Sequence, residues 1–398
     1  MAHLYGSAPL PPPSQRIPLL RWCRENLFSA WYNAALTLGA LFIVCSGLYG
    51  LLTWALGARW EVIPVNLKTM LVGTYPADQL WRVWSTLYMV ALLCGFSSGL
   101  HRGLIRQVAG ALALASLALA LLPFDWGTRA WIAGIALAAG AGFGLGKATP
   151  VRWGVRLEWV GWPLSFPLTL IVLNGGALSL PVVAGSDKWG FVLNLLGAAV
   201  GIVLSLPIGV LLALGRRSHL PVMRWVCTAY IELIRGVPLI TLLFMASIML
   251  QLLLPDSFRP DLVLRATMTI TAFSAAYMAE NVRGGLQAVS KGQYEAAYAV
   301  GLNGLLTTAF IVLPQALRAV IPAIVGQFIS LFKDTTLFGF IAVLEVLKAA
   351  RSVYEGNLQW RGTIFEVYVF IALLFWVFCY SMSYVSRRIE KNLGVGER

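Results

Sequence analysis

Apolar runs of more than twenty residues recur along this chain, and they restrict its fold more than any other feature. The run Asn33–Leu56 holds no Asp, Glu, Lys or Arg, and neither does Gly190–Leu214. Roughly 18 consecutive apolar residues suffice for a helix to cross a bilayer. Only 12% of the chain's 398 residues are charged, against about 25% in soluble domains. That leaves too few charges to cover a water-facing surface. The runs lack the alternation of a barrel strand. The fold class is therefore all-α, a polytopic helical membrane protein.

The formal net charge is +13. A basic chain can bind nucleic acid, but here the cations gather in small groups between apolar runs. They are Arg16, Arg21 and Arg24; Arg102 and Arg106; Lys147, Arg152 and Arg156; Arg216, Arg217 and Arg224; Arg387, Arg388 and Lys391. This distribution follows the positive-inside rule. The five cysteines are scattered without a CxxC pair, and the three histidines form no cluster with ligand spacing. Neither a disulfide framework nor a metal site is expected. The N-terminus, with Pro9–Pro13 ahead of the mixed segment Arg16–Glu25, does not read as a signal peptide.

About ten spans are expected. Five lie near Asn33–Leu56, Val83–Leu100, Gln107–Leu122, Ala130–Leu145 and Trp162–Val183. Five more lie near Gly190–Leu214, Val226–Leu254, Arg265–Asn281, Ala316–Leu331 and Phe365–Tyr384. Pro163, Pro167 and Pro181 are expected to interrupt the fifth run, so that it either crosses or re-enters. Lys333–Thr363 reads as re-entrant or interfacial. Alternation from a cytoplasmic N-terminus places His101–Arg106, Lys147–Arg156, Gly215–Arg224, Arg283–Ala297 and the C-terminal tail inside. Pro123–Thr128 and Ser186–Gly190 fall outside. Polar residues cluster only after about residue 186, which divides a generic N-terminal membrane part from a C-terminal part with specific polar positions. No internal repeat is evident.

The most informative stretch is Glu295-Ala296-Ala297, then Gly301, then Ile311, Leu313 and Pro314. Gln293–Val300 is polar and rich in small residues, so it suits a short helix outside lipid. Gly301 suits its end, Glu295 suits its positive pole, and Pro314 suits the start of the next helix. The pattern E-A-A-x3-G-x9-I-x-L-P resembles the EAA loop of ABC-importer permeases. Ile231–Leu239, Ala276–Gly285, Leu313–Arg318 and Leu331–Thr336 are similar to the polar amino-acid branch of that family. Trp22–Ser29 and Leu214–Ser218 look like the long permeases of the general L-amino-acid and the glutamate/glutamine/aspartate/asparagine systems.

The resemblance implies a type I ABC-importer permease core with extra N-terminal transmembrane helices. Residues 1–31 would be a cytoplasmic segment, 32–185 the extension, 186–390 the core and 391–398 a cytoplasmic tail. It implies an amino-acid importer subunit in a bacterial inner membrane. It also implies a related permease as partner (a second copy being the alternative), two ATP-binding subunits docked on the EAA loops, and an extracytoplasmic amino-acid-binding protein. No cofactor is implied in this chain, because ATP would be bound by the partner subunit.

Charged residues in or beside spans are functional candidates. Glu232 with Arg235, and Glu280 with Arg283, stand at i,i+3 spacing and can pair locally. They read either as structural pairs at helix ends or as gating residues. Gly236 and Pro238 follow at once and should break the helix, as a hinge or a fixed kink. Gln327 lies mid-span and reads as a substrate contact or an interhelical hydrogen bond. The glycine-rich stretch Gly140–Thr149 resembles a phosphate loop but has Ala141 and Ala148 where Gly and Ser/Thr are needed. Its glycines suit close helix packing instead. An ion-coupled secondary amino-acid transporter is the alternative function. It would carry a midplane carboxylate on a broken helix within inverted repeats, and neither is evident. No catalytic constellation stands within the apolar runs to support a membrane-embedded enzyme.

Overall fold

The computed structural model of the chain describes residues 19–122, 124–176, 180–183, 188–255 and 259–394. Arg16, Pro123, Ser186, Asp187 and the last residues of the tail, all used in the orientation argument, lie outside them. The chain forms two compact units, Met1–Trp60 and Glu61–Arg398. In the first, α1 (Leu19–Asn26) turns into α2 (Trp31–Gly57). The Thr37 hydroxyl donates to the Leu27 carbonyl at 2.9 Å and fixes that turn. Helix α2 is apolar on every side, as a membrane span is.

The second unit opens with α3 (Val62–Val72), which the sequence reading passed over. Eleven residues rise about 16 Å, too short to cross a bilayer. Then come α4 (Leu80–Leu100), α5 (Leu104–Ala120), α6 (Trp126–Ala148) and α7 (Val151–Asn174). The last differs from expectation. It begins eleven residues before Trp162, so Arg152 and Arg156 lie in its first turns and not in a loop, and Val183 lies beyond its end. Pro163 and Pro167 sit inside the helix without ending it.

Helices α4 and α6 meet along glycines. A Cβ on Gly95, Gly142 or Gly146 would collide with the backbone carbonyl of Ala139, Leu92 or Phe96 respectively. Gly140 and Gly144, on the other side of α6, have open space. The glycine-rich stretch is thus half packing surface, and it lies in a helix and its end instead of a strand-to-helix loop.

The remaining helices are α8 (Phe191–Arg216), α9 (Pro221–Gly236), α10 (Leu239–Phe244), α11 (Leu250–Leu253) and α12 (Leu262–Ala288). Helices α9 and α10 are bent by 105° at the break holding Val237 and Pro238, so Val226–Leu254 is not one straight span. A π-turn, Met245–Met249, links α10 to α11. Two of its carbonyls, those of Ala246 and Ser247, accept from the buried Arg265 of α12.

After α13 (Lys291–Ala299) come α14 (Gly304–Leu306), a second π-turn (Thr307–Val312), α15 (Leu313–Ala319) and α16 (Ile321–Asp334). The expected span at Ala316 is split at Val320, because Pro322 opens a new helix there. A 3₁₀ stretch Thr335–Ile341, α17 (Val346–Gly356) and α18 (Ile364–Leu393) complete the chain. Glu345, fully buried, caps α17 by accepting from Leu347 and Lys348 backbone N–H at 2.9 and 2.8 Å. Burial pushes its carboxyl up to about 7.

Among the described residues, seven helices are long and apolar enough to cross a membrane, or eight counting the bent pair. Ten were expected. The shortfall is α5, with only 17 residues, and α7, whose apolar run is diluted by Arg152, Arg156 and Glu158. Both are nonetheless helices, α5 at the expected place and α7 displaced toward the N-terminus.

Candidate functional site

The motif stretch forms one exposed element. Helix α13 carries Glu295 and Ala296 on its exposed side, whereas Ala297 is buried. Its end follows from Gly301, whose φ is +83°. The Leu302 N–H donates to the Ala297 carbonyl at 3.1 Å and the Gly301 N–H to Tyr298 at 3.0 Å. That pair of bonds is the Schellman arrangement, which needs a left-handed residue where Gly301 stands. Glu295 is not at the positive pole: it is the fifth residue of a helix that starts at Lys291. The dipole argument for it therefore does not hold, since that effect fades beyond the first turn.

Asn303 restarts the chain by accepting from the Leu306 N–H at 2.9 Å. Ile311 lies in the π-turn, and Leu313 and Pro314 open α15. The proline ring would crowd the carbonyl four residues back, and widening the preceding turn relieves that. The Gln315 side chain donates to Gln293 at 2.9 Å and so ties α13 to α15. Around this element Tyr298, Val300, Leu305 and Phe310 are 55%, 77%, 83% and 69% exposed. Large apolar side chains grouped at a polar helix mark a contact surface.

The charged candidates converge from three helices. Glu280 of α12 meets Arg216 of α8 at 2.6 Å, Arg283 at 2.7 Å and Arg235 of α9 at 3.7 Å. The pairing of Glu280 with Arg283 is the one the sequence suggested. Glu232 differs: among the described residues it pairs with Arg216 at 2.9 Å and not with Arg235. Arg216 is the member that sequence reasoning missed. It was counted only as one of a group of loop cations, and nothing local signals partners 16 and 64 residues away. Gly236 ends α9 and Pro238 precedes α10, so both stand at the 105° bend next to the cluster. Arg235 also lies over the Tyr277 ring of α12 at 5.4 Å.

Gln327 is half-buried on α16, and its amide donates to the Ser274 hydroxyl of α12 at 3.3 Å. The interhelical bond is present. One bond leaves the rest of the amide's capacity for another group. Among the described residues no cluster of His, Cys, Asp and Glu is suited to a metal ion.

Residues 205–395 match the family described as binding-protein-dependent transport system inner membrane component. The chain is 37% identical over 419 aligned residues to the glutamate/glutamine/aspartate/asparagine transport system permease protein BztC of Rhodobacter capsulatus, covering 97% of this chain and 96% of that one. It is 36% identical to the inner membrane amino-acid ABC transporter permease protein YhdY of Escherichia coli, covering 94% and 93% of the two chains. The probable glutamine ABC transporter permease protein GlnM of Bacillus subtilis is 34% identical, matching 51% of this chain but 93% of its own length.

Proposed function

The chain belongs to the family of binding-protein-dependent transport inner membrane components, the permeases of amino-acid ABC transporters, and from that premise we propose how it works. It lines the path of a polar amino acid across an inner membrane, with glutamate, glutamine, aspartate and asparagine as the class. A separate subunit binds and hydrolyses ATP and docks on α13. A related permease completes the path, and an extracytoplasmic binding protein delivers the substrate. Both termini and α13 face the cytoplasm, as the cation groups favour. Residues 186–390 are the transport core and 32–185 an extension that shorter relatives such as GlnM do without.

The observation that carries this reading is the likeness over nearly the whole chain to amino-acid permeases. The exposed, apolar-flanked α13 supports the coupling part. ATP bound by the partner biases a two-state pore through this element. The Arg216–Glu232–Arg235–Glu280–Arg283 cluster is where α8, α9 and α12 hold together, and the α9–α10 bend is the joint that moves. Reconstitution with the three partners in liposomes tests the whole: glutamine uptake should require ATP and the binding protein. Uptake driven by an ion gradient without ATP would establish the secondary-transporter reading instead.

Gln327 is a substrate contact on this reading. Gln327→Leu removes one interhelical hydrogen bond, worth about 0.6 kcal/mol within membranes, which is too little to undo assembly. Uptake should nevertheless fall several-fold, with a changed ratio of glutamate to glutamine, while Ser274→Ala leaves that ratio alone. Loss of assembly in proportion to transport would mark Gln327 as a packing residue.

A further inference from the structure

Away from α13, the ion cluster and Gln327, one end of the α4–α7 helices brings two connecting segments together. The last turn of α4 packs against the last turn of α6 and the first turn of α7. A Cβ on Gly99 would stand 2.5 Å from the Phe143 carbonyl oxygen and 2.9 Å from the Lys147 backbone nitrogen, and one on Gly154 would run into the Leu100 side chain. The Trp162 indole donates to the Ser97 hydroxyl at 3.1 Å, and His101 meets Glu158 at 2.6 Å. Residues 101–106, which lead from α4 into α5, therefore lie beside residues 147–156, which lead from α6 into α7.

Five exposed cations gather there: Arg102, Arg106, Lys147, Arg152 and Arg156. The one carboxylate in residues 101–106 and 147–158 is Glu158, which is half-buried and held by His101. Arg106 and Lys147 both stand over the Phe143 ring, at 5.4 and 4.9 Å, so two like charges surround a single side chain. Arg106 also donates to the Ser98 carbonyl at 3.4 Å, and Arg156 stands over the Trp153 ring at 5.2 Å. Ring faces and one carbonyl offset the mutual repulsion only in part, and most of the guanidinium donors stay free. The opposite end of these helices differs: residues 76–82 and 121–129 hold Asp78, Arg82, Asp125 and Arg129, two of each sign. Beside the cations, Leu145, Val151, Trp153 and Leu157 are exposed along α6 and α7.

We propose that this end of α4–α7 holds the headgroup phosphate of an anionic phospholipid, with the acyl chains along the exposed apolar side of α6 and α7. Helices α4 and α6 are long and apolar enough to cross a bilayer, so cations at their ends stand at headgroup depth. A phosphodiester accepts charge-assisted bonds from guanidinium and ammonium groups alike. A soluble anion would meet the charges but leave Val151 and Trp153 in water. A zwitterionic lipid brings an ammonium of its own, which meets like charge here. The positive-inside rule accounts for cations on one side of a membrane, but not for two of them around one ring beside exposed apolar helix faces.

The test is titration of the purified full-length chain with lipid, read by native mass spectrometry. Dioleoyl phosphatidylglycerol should bind saturably, and at least about tenfold tighter than phosphatidylcholine with the same chains. The double variant Arg106→Gln/Lys147→Gln should bind it about thirtyfold more weakly at unchanged melting temperature, each cation at headgroup level being worth about fivefold. Should that variant fail to fold, Arg152→Gln/Arg156→Gln takes its place with the same expectation. Arg387→Gln/Arg388→Gln removes two likewise exposed cations, which stand over Tyr380 and Tyr384 of α18, and should leave binding unaltered. The inference is overturned by phosphatidylcholine binding as tightly, by normal binding in the folded double variant, or by an equal loss in the α18 variant, which would mark a diffuse effect of net charge. Displacement of the lipid by an equimolar amount of inorganic phosphate would identify the ligand as a free anion and overturn it equally.

Discussion

Gly301→Val is expected to abolish ATP-driven uptake, by more than about tenfold, while the chain still reaches the membrane at normal levels. The φ of +83° at Gly301 is the cause. A β-branched residue in that region costs about 1–3 kcal/mol, and escaping it breaks both bonds that close α13, to Ala297 and Tyr298. No steric clash contributes, because a Cβ at Gly301 would meet open space. The damage is therefore local to α13 and its closing turn, and the membrane helices need not unfold. Binding-protein-stimulated ATPase activity in liposomes reads it out. Gly301→Asn, which tolerates positive φ, should recover part of the activity. Normal stimulation in the valine variant would show that α13 does not couple.

Glu280→Gln should have the second large effect. It keeps the shape of the side chain and removes the one carboxylate shared by Arg216, Arg235 and Arg283. Removing one partner of a buried ion pair costs about 3–5 kcal/mol. Arg216 and Arg283 are 26% and 36% exposed, so water screens part of the loss and about 2 kcal/mol is the reasonable scale. The expected result is a chain of lower melting temperature whose assembled transporter hydrolyses ATP without its binding protein. Glu232→Gln should do far less. Glu232 is 57% exposed, and among the described residues its ion pair is with Arg216, which caps its worth at about 1 kcal/mol. Equal losses in the two variants would remove the case for Glu280 as the hub. Adding Arg283→Gln to Glu280→Gln should restore part of the stability, since among the described residues Arg283 has its ion pair with Glu280 whereas Arg216 keeps Glu232.

What the sequence made legible was whatever is decided locally. The end of α13 could be read from one glycine, and the break after Arg235 from Gly236 and Pro238, because each acts on its own backbone. The apolar stretches could be placed, since transfer to lipid depends on composition more than on partners. What stayed hidden depends on distant contacts. Pro163 and Pro167 look like helix breakers, yet α7 runs through both; neighbouring helices can re-satisfy carbonyls that a proline frees. Arg216 looked like a loop cation until the fold brought α9 and α12 to it. Glu345 gave no signal at all, because its burial depends on Asn194, 151 residues earlier, whose amide donates to it at 3.4 Å.

The π-turn between α13 and α16 bears on how a push from the ATPase side would be transmitted. Thr307–Val312 holds one residue more per turn than an α-helix does, and the Thr307 hydroxyl inside it is buried without a partner. In an α-helix each residue advances the chain by about 1.5 Å and about 100°. Passing the surplus residue along the helix thus changes azimuth far more than length. On the proposed coupling through α13, such a connection works as a screw thread with one spare tooth: a shift of the surplus residue, each backbone bond exchanging its i+5 partner for i+4 in passing, turns the side chains beyond it far more than it advances them.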